Sequence, residues 1–242
     1  HQPTQFLLGI FDGHGKLGHE VAEYVMHEFP RLLASKLNAR QCCGDDAWIR
    51  QVLNETFVQV DRELPESAYQ GGCTATVVLR VGNQLYFANV GDSRTILVQG
   101  DEIVYETRRD KPHLPEERAR IEGVGGKVHI PEKNPNLSRV IAFAEHAKPP
   151  ETIGLAMSRS LGDWDFHGVI AEPLIDVRKV PTNSFLLAAS DGVWDLRPKE
   201  GLANRFAKGR GDVGKALRIA FGEISPISGY RDDMTAALVR LD

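Results

Sequence analysis

Two hydrophobic rhythms run along the chain, one repeating every three to four residues and one every second residue, and the points where each stops outline the elements. Phe6 to Phe11 holds five apolar residues in six positions and stops at Asp12-Gly13-His14-Gly15. That predicts a buried strand with its first charged group fixed at the sheet rim. Beyond the turn, Val21, Val25, Phe29 and Leu32 recur at helical spacing, and Pro30 is expected to kink or end that helix. The polar stretch 38–46 reads as a loop. Asp45 or Asp46 is placed to cap a second helix whose stripe is Ile49, Leu53, Phe57, Val60 and Leu64. From Gly71 the rhythm shortens, and 74–79, 84–90, 94–98 and 103–107 predict strands that continue as a meander through turns at Val81-Gly82-Asn83 and Gly100-Asp101. Consecutive strands without helices between them argue for an antiparallel sheet and exclude a doubly wound βαβ architecture there.

Residues 116–122 read as a short helix closed by Gly125-Gly126. The stretch 127–154, with Pro131, Pro135, Pro149 and Pro150 among polar residues, is the least patterned and reads as a flap or long surface loop. Strands follow at 177–180 and 185–189, the second running into Ser190-Asp191-Gly192. A basic helical region then extends to about Phe221, and 235–239 forms a last strand. There is no internal repeat or low-complexity tract, so 1–242 reads as a single domain.

Composition narrows the classes. The chain has 242 residues, 42% hydrophobic and 26% charged, enough for a sizeable core. Its net charge of -4 gives no reason to expect a nucleic acid or an anionic membrane as partner. No apolar run approaches the ~20 residues of a spanning helix, and no signal-peptide pattern opens the chain. The 3 cysteines do not form a disulfide framework, and a reducing, intracellular setting, cytoplasmic or nuclear, is expected. Thiol-based phosphate chemistry is excluded as well, because Leu79 stands where an Arg would follow Cys73 by six positions.

Three distant places share one design, a buried strand bordered by aspartate: Asp12 after the first strand, Asp191 after Leu186-Leu187-Ala188-Ala189-Ser190, and Asp232-Asp233 ahead of the last strand. Each acid alone reads better as a surface turn or a helix cap. Gathered at one sheet rim, carboxylates repel unless a cation neutralises them, and oxygen ligands favour Mg²⁺ or Mn²⁺. Two such ions ~3.5–4 Å apart clamp a phosphoryl transfer and activate a water, so hydrolysis of a phosphate ester is the natural use. His14 titrates near neutrality and suits proton transfer.

The chain resembles the metal-dependent serine/threonine protein phosphatases of type 2C (PPM). The resemblance rests on six blocks in family order: Phe11-Asp12-Gly13-His14-Gly15, Gly72-Cys73-Thr74-Ala75, Ala88-Asn89-Val90-Gly91-Asp92-Ser93-Arg94, Leu155-Ala156-Met157-Ser158-Arg159-Ser160-Leu161-Gly162-Asp163, Ala189-Ser190-Asp191-Gly192-Val193-Trp194-Asp195 and Asp232-Asp233-Met234-Thr235. It implies an α+β fold, a four-layer α-β-β-α sandwich of two antiparallel sheets flanked by helices. It also implies hydrolysis of phosphoserine and phosphothreonine in proteins by a metal-bridging water, with two Mg²⁺ or Mn²⁺ ions per site. Asp12 would bridge the ions, the Gly13 carbonyl would bind the second, and Asp191 and Asp232 the first. His14 would be the general acid. The partners would be phosphorylated proteins, with the chain acting as a monomer. The Asp92 and Asp163 blocks read as turns that fix strand order, and Arg94 and Arg159 as braces for carboxylates.

The chain departs from the family in places. The family's opening strand, with a phosphate-gripping Arg and a metal-supporting Glu, is not found, so the sequence is expected to lack its N-terminal strand. Lys16 replaces a usual glycine and reads as a solvated helix start. Asp110 stands in a His position of the Thr107-Arg108-Arg109-Asp110-Lys111-Pro112 block, which argues against a third ion, and 133–153, which matches poorly, is expected to choose substrates. A catalytically silent phosphatase-like scaffold and a small-molecule phosphatase are the rival readings. Gly209-Arg210-Gly211-Asp212-Val213-Gly214-Lys215 imitates a P-loop, but Ala216 replaces the hydroxyl residue and no buried strand precedes it. The basic cluster of Arg197, Lys199, Arg205, Lys208 and Arg210 reads as a wet helix face.

Overall fold

A computed structural model of the chain describes residues 5–38, 45–144, 151–196, 199, 201–202, 212–215, 218 and 232–241. In order the elements are β1 (Gln5–Gly15), α1 (Gly18–Asn38), α2 (Asp46–Arg62), β2 (Gly71–Val81), β3 (Gln84–Val90), β4 (Arg94–Gln99), β5 (Glu102–Glu106) and α3 (Pro115–Gly123). They continue with β6 (Lys127–His129), β7 (Arg139–Ala144), β8 (Glu151–Leu155), β9 (Leu161–Gly162), β10 (Leu174–Lys179), β11 (Ser184–Ala189), α4 (Asp191–Leu196) and β12 (Ala236–Leu241).

The β-branched and apolar strands pair into one sheet of order β1-β2-β3-β10, with β9 also on β2, and a second of order β12-β11-β4-β5. All of these pairings are antiparallel. Between the sheets pack Val78, Leu85, Phe87, Leu97, Leu186 and Leu241. On the outer face of the first sheet, α1 and α2 bury Val25, Phe29, Phe57 and Val60 against Val77 and Ala88. On the outer face of the second, Val193, Trp194 and Leu202 cover Ile96 and Leu187. This is the expected four-layer α-β-β-α arrangement. Deep hydroxyl pairs tie the sheets together, Thr74 Oγ1 to Ser93 Oγ at 2.7 Å and Thr76 Oγ1 to Thr95 Oγ1 at 2.9 Å.

Several expectations need correction. The first strand is not fully buried. Among the described residues it stands at the edge of its sheet, and its side chains alternate between the two faces, with Phe6 and Leu8 packed between the sheets and Leu7 36% exposed. Nor does it stop at Asp12, because Gly13, His14 and Gly15 stay in register with Cys73, Gly72 and Gly71. Pro30 lies inside α1 without ending it, since Val25, Phe29 and Leu33 on either side are buried and outweigh one lost hydrogen bond. The four meander strands split, β2 and β3 in one sheet and β4 and β5 in the other, because the chain crosses over at Gly91-Asp92.

The stretch 127–154, read as a flap or loop, instead holds most of a third antiparallel sheet of order β6-β7-β8. Its short strands bury Val140 and Leu155 against Ile121 and Phe166. Asp45 is the cap of α2, accepting a hydrogen bond from the Ala47 N–H at 3.0 Å. Arg94 and Arg159 do brace carboxylates, on Glu106 and Glu117. Most of the basic region and residues 209–211 of the P-loop imitation lie outside the described residues. No described helix is long and apolar enough to cross a membrane.

Candidate metal centre and active site

Antiparallel pairing fixes which strand ends lie together. His14 stands opposite Gly72 and Asp12 opposite Thr74, at the end of β1 where β2 begins. Asp191 follows β11 directly, and 232–235 lead into β12, whose Ala236 pairs with Ala189. Ser190 closes this corner: its N–H donates to the Thr235 carbonyl at 3.0 Å, and its Oγ accepts from the Thr235 N–H at 3.1 Å. Gly192 lies against the Asp233 carbonyl so closely that any side chain there would displace the 232–233 segment. Asp12, Gly13, His14, Asp191 and Asp232 thereby line a single cavity of about 590 Å³. All five residues expected at the site are brought together.

The cavity is electrostatically crowded. Burial, then the charge of Asp191 and a hydrogen bond shared with it, then the charge of Asp232, raise the Asp12 carboxyl to about 7. Burial and the charges of Asp92, Asp232 and Asp195 raise Asp191. Asp92 Oδ1 is buried without a hydrogen-bond partner, while Oδ2 accepts from Lys111 Nζ at 2.5 Å. Hard oxygen donors that repel one another in this way fit divalent cations. Among the described residues no three acidic, His or Cys side chains stand close enough together to hold a metal ion as they are placed. Like charges resist closer approach, and a cation removes the resistance.

His14 has a partner that the sequence did not announce. Its Nε2 and Asp163 Oδ2 are 2.6 Å apart, while Nδ1 makes no hydrogen bond. Burial alone would pull the imidazole down, but the charge and hydrogen bond of Asp163, then the charges of Asp92 and Asp12, hold it up at about 9. Asp163 takes a left-handed backbone conformation (φ 57°), with its N–H donating to the Gly71 carbonyl at 3.1 Å. Gly72 is required here, because a Cβ would collide with the Asp163 carboxylate and come within 2.8 Å of His14 Nε2. Asp163 and Asp92, read from the chain as turns, both line the cavity. No spacing along the chain joins 14 to 163. The usable signal was the Gly71-Gly72 pair, a place where backbone and a polar pair must approach closely.

Asp110 does not reach the cavity. It is wholly buried, accepts from the Gly91 N–H at 3.0 Å and pairs with Arg108 at 2.9 Å, holding the crossover that carries Asp92. Comparison with known proteins identifies the family. The profile of the protein phosphatase 2C family matches residues 1–223.

The chain belongs to the protein phosphatase 2C family.

Its relatives include "Probable protein phosphatase 2C 61" of Arabidopsis thaliana, 33% identical over 227 residues, covering 88% of this chain and 67% of the relative. "Probable protein phosphatase 2C 72" of the same plant is 37% identical over 208 residues, covering 78% of this chain and 61% of the relative. The chain thus spans about three fifths to two thirds of the length of such relatives. Among solved structures, serine-threonine phosphatase 2C from Toxoplasma gondii superposes with a TM-score of 0.72 at 18% identity, over 98% of this chain and 85% of that one. A sex determining protein of C. elegans gives 0.74 at 20% identity, over 98% of this chain and 56% of that one. At those identities the superpositions speak for the fold. Protein phosphatase 2C enzymes are metal-dependent protein serine/threonine phosphatases.

Proposed function

We propose that this chain hydrolyses phosphoserine and phosphothreonine in proteins, using two Mg²⁺ or Mn²⁺ ions held by Asp12, the Gly13 carbonyl, Asp191 and Asp232, with His14 as general acid. The observation that carries this reading is the meeting of Asp12, Asp191 and Asp232 with the His14–Asp163 pair in one cavity. When bound, the ions supply an activated water and offset charge on the phosphoryl oxygens. The chain's own residues do the rest. Asp12, whose carboxyl is raised by the charges of both Asp191 and Asp232, would help hold the ions and would be relieved of that repulsion by them. Asp163 holds the imidazole at Nε2, and Nδ1, buried and without a hydrogen-bond partner, is the nitrogen left for the departing oxygen. As the P–O bond to the serine or threonine oxygen breaks and the bond to water oxygen forms, His14 protonates the alkoxide. The imidazole is then reprotonated from solvent. We further propose an intracellular setting, with which the free, buried Cys73 agrees, and a monomeric chain.

The test is phosphate release from a phosphothreonine peptide by the full chain, with Mn²⁺ and then with EDTA. Turnover is expected to require metal and to be lost in Asp191→Asn. Full turnover in EDTA or an unimpaired Asp191→Asn would contradict the reading. Metal-dependent phosphopeptide binding without turnover would instead mark a silent scaffold.

A further inference from the structure

Two cations border the cavity without a carboxylate partner among the described residues. Lys16 follows Gly15, whose positive φ of 79° turns the chain at the end of β1, and Arg139 opens β7 in the third sheet. Both line the cavity, and both are exposed. The ion pairs around the site engage other cations: Arg94 on Glu106, Lys111 on Asp92, and Arg108, Arg120 and Arg159 on Glu117. Arg139's stem runs beside Gly154, which has no side chain to block it and whose Cβ position lies 3.5 Å from Arg139 Cβ. Glu151 also lines the cavity, but it pairs with Ala144, so it sits five residues along β7 from Arg139, ~17 Å at strand rise.

We infer that Lys16 and Arg139 are specificity-determining residues that select phosphopeptides with acidic residues flanking the phosphorylated position. This rests on the phosphatase reading above. The cavity carries Asp12, Asp191 and Asp232, whose charge the proposed divalent cations would answer, whereas Lys16 and Arg139 line it with no ion pair among the described residues. The two stand on separate elements, the β1–α1 turn and the third sheet, so an extended peptide with its phosphate over the acids meets a cation from each wall. Exposed rim charges act on selection more than on chemistry, each contributing a modest factor that salt screens.

The test uses the full chain and two peptides carrying a non-hydrolysable phosphonate analogue of phosphothreonine, one flanked by Glu and one by Gln. Affinity is read by fluorescence anisotropy, beside kcat/KM on the matched phosphothreonine peptides. The wild type is expected to favour the acidic peptide. Lys16→Gln and Arg139→Gln are each expected to cut that preference about three- to fivefold, in binding and in kcat/KM alike, and 0.5 M salt is expected to erase it. Equal losses on both peptides would overturn the inference, showing that these cations grip the phosphate itself. An unchanged ratio with unchanged affinity would overturn it too, leaving them as solvated surface charges. Failure of the wild type to turn over either substrate, with the binding preference intact, would strike the phosphatase reading and support this one.

Discussion

Asp163 grips His14 from one side only, and on the proposed reading that asymmetry decides which ring nitrogen acts as the acid. The 2.6 Å contact to Nε2 leaves Nδ1 as the nitrogen without a partner. A general acid matters most when the leaving group is a poor one, so the effect of losing this pair depends on the substrate. Asp163→Asn is expected to slow phosphothreonine peptide hydrolysis by roughly 10²-fold while slowing p-nitrophenyl phosphate, whose leaving group departs unaided, far less. His14→Ala added to Asp163→Asn is expected to cost little more, since the two act as one unit. Equal losses on both substrates would instead mean that Asp163 supports the fold. At this scale the sequence was half legible. Asp12, Asp191 and Asp232 stand out because each borders an apolar strand, and His14 because it sits among them. Asp163 follows a two-residue strand and carries no such mark, and its role exists only once β9 lies against Gly72.

Among the elements, α3 owes its position to one carboxylate. Glu117 is fully buried and takes Arg159 at 2.7 Å, Arg120 and Arg108 at 2.6 Å, and the Ser158 hydroxyl at 2.8 Å. It thereby fastens the helix to the loop that leads to β9 and Asp163. Burial would raise its pKa, but Arg159, Arg120 and Ser158 overcome that and hold it down at about 2. A depressed carboxyl stabilises the fold fully above its ordinary value of 4.5 and gives that up as the pH falls toward 2. Acid unfolding of the wild type should therefore draw on this group between those limits. Glu117→Gln is expected to lower the neutral-pH Tm by roughly 10 °C and to flatten this part of the pH dependence, both read by thermal melts. A variant as stable as the wild type at pH 7 would contradict this. Element types were largely readable, because period and turn residues are local properties. The third sheet was not, because its strands are short and separated by prolines, and what makes them strands is Val140 and Leu155 packing on Ile121 and Phe166. Pro30 misled for a related reason, its local cost being small beside the burial of Phe29 and Leu33.

At the scale of the whole molecule, the two sheets work as a frame that forces separated turns to one end. The four-layer order was implied by family resemblance, while the sequence pattern alone ran β2 to β5 together as one meander. What divides them is the crossover at Gly91-Asp92, where Gly91 has φ 100° and the buried Asp110 holds its N–H. That same crossover delivers Asp92 to the cavity. Convergence of like charges at 12, 191 and 232 is then a property of topology, costly to the fold and useful only if divalent cations offset it.

The direct measurement is a calorimetric titration of the full chain with Mn²⁺, beside Asp191→Asn. The account predicts saturable binding to the wild type and an affinity at least tenfold weaker in the variant, whose fold is verified by an unchanged far-UV spectrum. Wild-type and variant chains that bind Mn²⁺ equally, or a wild type that binds none, would contradict it.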